Sequence, residues 1–307
     1  MKRTYVTIIC VLMLLSFLVA SLTQQRVQGM HVNTVWETYY LQPSGEQNAE
    51  DAVCNYINST FNSLSANWES LWFSANQTTA TNAYACLSNV DNSSADDFLA
   101  WFSTGNGFQY QPTGNTWHFY YYGSNSGAVS NAVQDSKIYN IANGSKNKFT
   151  FIWTCMNGDE WTQNGKTIYG YWDTQNNTGP VGMPYAFTQT TGLSLNGYGA
   201  GADNSGICYI GFNGCAKNLS DPYENVVGET YATFVDYFYY YFVDCGTSVT
   251  MALNYASNAL NATQPLFSMN PLYEGYMEYQ QMNGAWTYFP GVMVVIGDGN
   301  LVLPNVS

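Results

Sequence analysis

The chain has 307 residues, and only 9% of them are charged, against about 25% in an ordinary soluble domain. Acids outnumber Lys and Arg 21 to 8, a formal net charge of -13, so nothing is left to neutralise a phosphate backbone and nucleic acid is excluded as a partner. An apolar share of 46%, with 17% aromatic residues, excludes a disordered chain.

Lys2 and Arg3 open a segment that is apolar from Thr4 to Leu22, with Val19-Ala20-Ser21 as a small-residue cleavage site. Residues 1–22 therefore read as a signal peptide, or as an N-terminal anchor if cleavage fails. Only an uncleaved anchor would bring the protein to a membrane. Residues 30–307 read as one domain, secreted or held at the cell surface. Eight Asn-x-Ser/Thr sequons (Asn58, Asn76, Asn92, Asn143, Asn176, Asn218, Asn261 and Asn305) fit a glycoprotein whose solubility comes from glycan and amide groups in place of charge. Cys10 lies in the leader. Cys54, Cys86, Cys155, Cys208, Cys215 and Cys245 remain, enough for up to three disulfides in an oxidising compartment, with connectivity open.

Val32 to Tyr40 reads as a first strand. Glu46 to Phe61 follows with helical spacing of its apolar residues, and Trp68 to Ser74 reads as a strand. Ser94-x-x-Asp97 before Phe98, Leu99 and Trp101 predicts a short capped helix. Thr116 to Tyr122 reads as a strand ended by Gly123-Ser124-Asn125, and Phe149 to Thr154 as a strand ended by Cys155-Met156-Asn157-Gly158-Asp159. Ile207 to Phe212 is a further strand. Glu224 to Val243 predicts a long aromatic helix, Thr247 caps another through Leu260, and Gly291 to Ile296 is a last strand before Gly297-Asp298-Gly299. This alternation predicts an α/β fold, a mostly parallel sheet sandwiched by helices. Ligands of such sheets bind beyond the carboxyl ends of the strands. The loops that matter are then 123–127, 155–160, 213–223 and 297–300.

A strand ending in a Gly/Ser loop, followed about thirty residues later by a strand ending in Cys, resembles the caspase-like cysteine peptidases, in particular their secreted gingipain-like branch. Phe119 to Asn125 stands in the first place and Phe149 to Cys155 in the second. Gly182 to Phe187, Cys208 to Phe212, the helical Gly246-Thr247-Ser248-Val249-Thr250-Met251-Ala252-Leu253 and the closing Ile296-Gly297-Asp298-Gly299-Asn300-Leu301 are similar to later segments of that family. The resemblance spans residues 110 to 303. It implies a caspase-like fold, Cys155 as the nucleophile, Gly123 near the oxyanion, and an acid such as Asp159 binding a basic side chain.

The family's His-Gly turn carries the general base, and here that place reads Ser124-Asn125. A thiol without a base is a poor nucleophile. Of the two histidines, His118 precedes the loop by several strand residues and His31 lies next to the leader. The chain therefore reads as a catalytically degenerate peptidase homologue that binds protein, peptide or envelope glycan. The alternatives are an active cysteine endopeptidase and a surface carbohydrate-binding or structural module. The tyrosine clusters 120–122 and 237–241 read either as core or as sugar platforms. Asp298 is a further candidate ligand residue, against its role of tying down a turn. No CxxC pair exists and only two histidines do, so no metal or other cofactor is expected.

Overall fold

The computed structural model describes residues 30–39, 42–64, 67–74, 77–91, 93, 96–110, 118–122, 131–142, 147–158, 161–163, 166–168, 182–188, 206–223, 226–260, 276–282 and 285–304. The leader reading therefore lies outside the described residues. So do Gly123, Ser124 and Asp159.

Five strands form a contiguous parallel sheet. They are β1 (Met30–Glu37), β2 (Trp68–Phe73), β3 (Asp96–Thr104), β7 (Asn147–Trp153) and β10 (Ile207–Gly214). Between β3 and β7 the chain forms a separate antiparallel sheet of β4 (Gly107–Tyr110), β5 (His118–Tyr122) and β6 (Ala132–Gln134), and after β7 comes a hairpin of β8 (Trp161–Gln163) and β9 (Lys166–Ile168). β11 (Tyr276–Met282) and β12 (Ala285–Gly297) complete the main sheet, in the order β11-β12-β10-β7-β3-β1-β2, with β12 antiparallel to β10. The α/β architecture with a mostly parallel sheet is as the sequence predicts.

Period-2 alternation divides each central strand between two cores. Phe98, Ala100 and Phe102 of β3, with Phe149, Phe151 and Trp153 of β7, face one side. Leu99, Trp101 and Ile152 face the other. The first face is covered by α1 (Ser44–Ser63), by α5 (Tyr231–Tyr239) and by α6 (Val249–Ala259). The second is covered by α2 (Ala80–Asp91), α3 (Asp135–Ile141) and α4 (Met183–Thr188). With both faces covered, the strands become continuous apolar runs. The aromatic share is spent here. Phe149 packs against Phe238 and Phe242 at ring distances of 5.9 and 4.6 Å, and Trp153 against Phe212 at 4.9 Å.

Two expectations need correction. The predicted short helix over Phe98–Trp101 is the central strand β3, paired with β1 on one side and β7 on the other. A capping signature preceded the run, but Phe98 to Phe102 is buried throughout, and an unbroken apolar run fits a two-sided strand and leaves a surface helix no polar face. The long aromatic helix begins at Tyr231, seven residues later than predicted. Thr230 and Thr233 form a capping box there, and Tyr223 to Glu229 closes a turn through its own backbone. Its last turn, Tyr240–Asp244, is π-helical and stops before Gly246 at φ 62°, a left-handed stop that glycine adopts without strain.

Candidate functional site

The carboxyl ends of β1, β3, β7 and β10 reach the same edge of the sheet, and the chain order reverses between β1 and β3. A cavity of about 140 Å³ opens at this edge, lined by Gln42, Glu46 and Glu50, by Thr104, Gly105 and Asn106 after β3, by Trp153 and Cys155 after β7, and by Ala216, Lys217 and Asn218 after β10. It has room for a few waters or for the head of one side chain.

Glu50 forms the floor. Its residue is fully buried. Oε1 accepts from Thr104 Oγ1 at 2.9 Å and from Gln42 Nε2 at 3.4 Å, while Oε2 has no partner. Burial pushes its carboxyl up to about 9, and the nearby Glu46, Glu37 and Asp51 add to the rise against the lowering bond from Thr104. Glu37, at the end of β1, is raised to about 8, first by burial and then by Asp51. Its Oε2 accepts from Trp72 Nε1 at 3.0 Å, and its Oε1 has no partner. At neutral pH both groups keep their protons, because an isolated buried carboxylate is costlier than a buried acid. Glu46 differs. Its two oxygens accept the backbone N–H of Leu219 at 2.6 Å and of Ser220 at 2.8 Å, which fastens the 216–220 loop to the first turn of α1.

Cys155 follows β7 and is half-buried at the cavity wall. Its Sγ accepts from the Ala216 N–H at 3.4 Å. Met156 holds φ at 63°, an uncommon conformation for a residue with a side chain. Its N–H donates to Gly214 O at 2.6 Å, and Gly158 N–H donates to Phe212 O at 2.8 Å, so the elbow is clamped to β10. Asn157 Nδ2 donates to Cys155 O at 2.8 Å, and Tyr209 OH donates to Asn157 O at 2.6 Å. Opposite this elbow runs Gly105-Asn106-Gly107. A Cβ on Gly105 would lie 2.0 Å from Thr38 Oγ1, and one on Gly107 would lie 1.9 Å from Cys155 O. Only glycine permits so close a backbone approach at either position, and the pair holds Asn106 between them at the cavity.

Of the two sequence-predicted site residues that fall among the described residues, Cys155 lies at this cavity and Asp298 does not. Asp298 sits at the opposite end of the sheet. Its N–H donates to Ile207 O, and its carboxylate accepts from Gly206 at 3.2 Å and from Asn300 at 3.0 Å, the turn-tying role that competed with ligand binding. The strand beside the cysteine strand is β3 and not β5, whose pairing partners are β4 and β6. Among the described residues, the turn facing Cys155 is Gly105-Asn106-Gly107. His31 lies at the amino end of β1, 2.5 Å from Asp97 and packed on Trp68, and His118 pairs with Tyr110 in the small sheet. His31 does not line the cavity.

No family model and no curated protein matches this chain.

Glu37, Glu46, Glu50, Thr104 and Asn106 were missed in the sequence. The signal for the turn was present, Gly105 and Gly107 within five residues of the end of the apolar run 98–102. The acids left no comparable trace, since a glutamate at a helix start is unremarkable until a strand end is laid over it. No disulfide joins the described cysteines. Among the described residues no group of His, Cys, Asp or Glu is arranged to hold a metal ion, and no helix is long and apolar enough to cross a membrane.

Proposed function

We propose that this chain is an exported glycoprotein with a caspase-like α/β domain that binds a basic group of a protein or peptide partner at the strand-end cavity and does not cleave it. It would act as a secreted or surface binding component. The observation that carries the reading is Asn106 beside Cys155. The resemblance calls for a His-Gly turn next to the cysteine strand, and the turn there reads Asn106-Gly107. An asparagine amide has no basic nitrogen, so it cannot take a proton from the thiol. Glu50 supplies the affinity. A guanidinium or ammonium that reached the buried, unpartnered Oε2 from the cavity would displace the proton and form a buried ion pair that satisfies both groups.

Calorimetric titration with an arginine-bearing peptide, in two buffers of different ionisation heat at pH 7, tests this. Binding should release close to one proton, and Glu50→Gln should abolish both the release and most of the affinity. Peptide cleavage, or selective labelling of Cys155 by an acyl-type cysteine probe at neutral pH, would overturn the non-catalytic part. Absence of binding would overturn the basic-group part.

One observation favours a second reading, an active cysteine endopeptidase. Met156 at φ 63° is backbone strain of the kind that gathers at functional sites, immediately after the candidate nucleophile. The labelling experiment separates the two.

A further inference from the structure

A second concavity shares no residue with the strand-end cavity. It measures about 260 Å³ and is lined by Tyr56 of α1 and by Thr233, Asp236, Tyr237 and Tyr240. The last four are spaced i, i+3, i+4 and i+7, one outward face of α5. The inward face, Phe234, Val235, Phe238 and Phe242, belongs to the core. Tyr237 and Tyr240 are exposed by 36% and 44%, an unusual surface position for two adjacent large aromatics on a helix.

These rings are held in place. Tyr241 stacks on Tyr237 at 6.5 Å, meets Tyr240 edge-on at 5.1 Å and packs on Tyr255 at 5.2 Å. Burial pushes the Tyr56 hydroxyl up to about 12, and the nearby Asp244 carboxylate adds to the rise. The helix continues from Tyr240 as the π-helical turn 240–244, and such turns recur at functional sites. Asp236 brings a carboxylate into the lining, and its Oδ1 is buried without a hydrogen-bond partner. No basic residue is among the described residues that line the cavity.

From this geometry we infer a binding site for an alkylated ammonium group, with the tyrosine rings against its methyl groups and Asp236 as its counter-ion. Ring faces attract cations within about 6 Å, most strongly when the cation is desolvated. A hard metal ion needs several oxygens, and here one carboxylate is at hand. A sugar needs an array of polar partners for its hydroxyls, and beyond the ring hydroxyls the lining offers one more hydroxyl and that carboxylate. Burial raises the Asp236 carboxyl to about 6, consistent with a charge that lacks compensation in the empty site. The same ammonium chemistry is carried by a free small molecule and by a choline lipid headgroup.

Choline is the probe for the first source, and phosphatidylcholine vesicles are the probe for the second. Titration of the whole protein with choline, followed by calorimetry, should show saturable binding. Asp236→Asn and Tyr240→Ala should each weaken it about tenfold, while Tyr240→Phe, which keeps the ring face, should bind as the native protein does. The neutral carbon analogue of choline, with a tert-butyl group in place of trimethylammonium, should bind at least about tenfold more weakly. Vesicle co-sedimentation lost in Tyr240→Ala would assign the headgroup as the source. Thermal melting of each variant shows that it remains folded. Equal binding of the neutral analogue, indifference to both substitutions, or no binding in either arm overturns the assignment.

Discussion

Replacing Glu50 with glutamine should stabilise the protein at neutral pH and leave it unchanged in acid. The folded carboxyl titrates near 9 and the unfolded one near 4.5. A raised pKa means that the fold prefers the protonated group. Its contribution is therefore whole below pH 4.5 and declines as pH climbs towards 9. Each pH unit in that window removes about 1.4 kcal/mol. At pH 7 the native protein is thus about 3 kcal/mol less stable than a variant with no proton to hold. Glutamine keeps an Oε1 to accept from Thr104 and Gln42, so the variant keeps those two bonds. Urea unfolding at half-unit steps from pH 4 to pH 8 measures the difference. The two stability curves should meet in acid and diverge with rising pH, with the variant melting roughly 5–10 °C higher at pH 7. Glu37, raised to about 8, adds a decline of the same sign to both curves and cancels in the comparison. Parallel curves between pH 5 and pH 8 would refute the reasoning.

Gly107→Ala should destabilise the fold by about 2 kcal/mol or more, because its Cβ would fall 1.9 Å from Cys155 O and 2.4 Å from Asn157 Nδ2; chemical denaturation reads the loss. Met156→Gly should gain about 1 kcal/mol by relieving φ 63°, checked by thermal melting. Asn106→His places an imidazole at the cavity wall beside Cys155 and should speed iodoacetamide labelling of that thiol at pH 7 by about tenfold, read by peptide mass mapping.

The β1, β2, β7 and β10 strands were legible because each is a short aromatic or β-branched run with turn residues on both sides. So was α1, from the spacing of Val53, Ile57 and Phe61. Cys155 was legible as the residue that ends β7. The failure at β3 had a wider effect. With Phe98–Trp101 predicted as a capped helix, the strand that lies beside the cysteine strand is absent from the predicted sheet. Local signals cannot separate a buried strand from a short buried helix when the residues on both sides of the backbone are apolar. The pairing of β3 with both β1 and β7 decides it, and that information is non-local. The Glu37–Glu50 cluster was illegible for a related reason. Its perturbed protonation comes first from burial by residues distant in sequence, and Asp51 and Glu46 of α1 only add to it.

The sheet order also sets the pace of assembly. His31 must find Phe98, Phe98 must find Asn147, and Phe149 must find Cys208, each across a long intervening segment of chain. Parallel pairings of this kind bring little reward until the loops between them have closed, so folding should be slow compared with a helical protein of the same size. Until β3 is inserted, the aromatic edges of β1 and β7 stand open, and the last central strand to dock decides when they are covered.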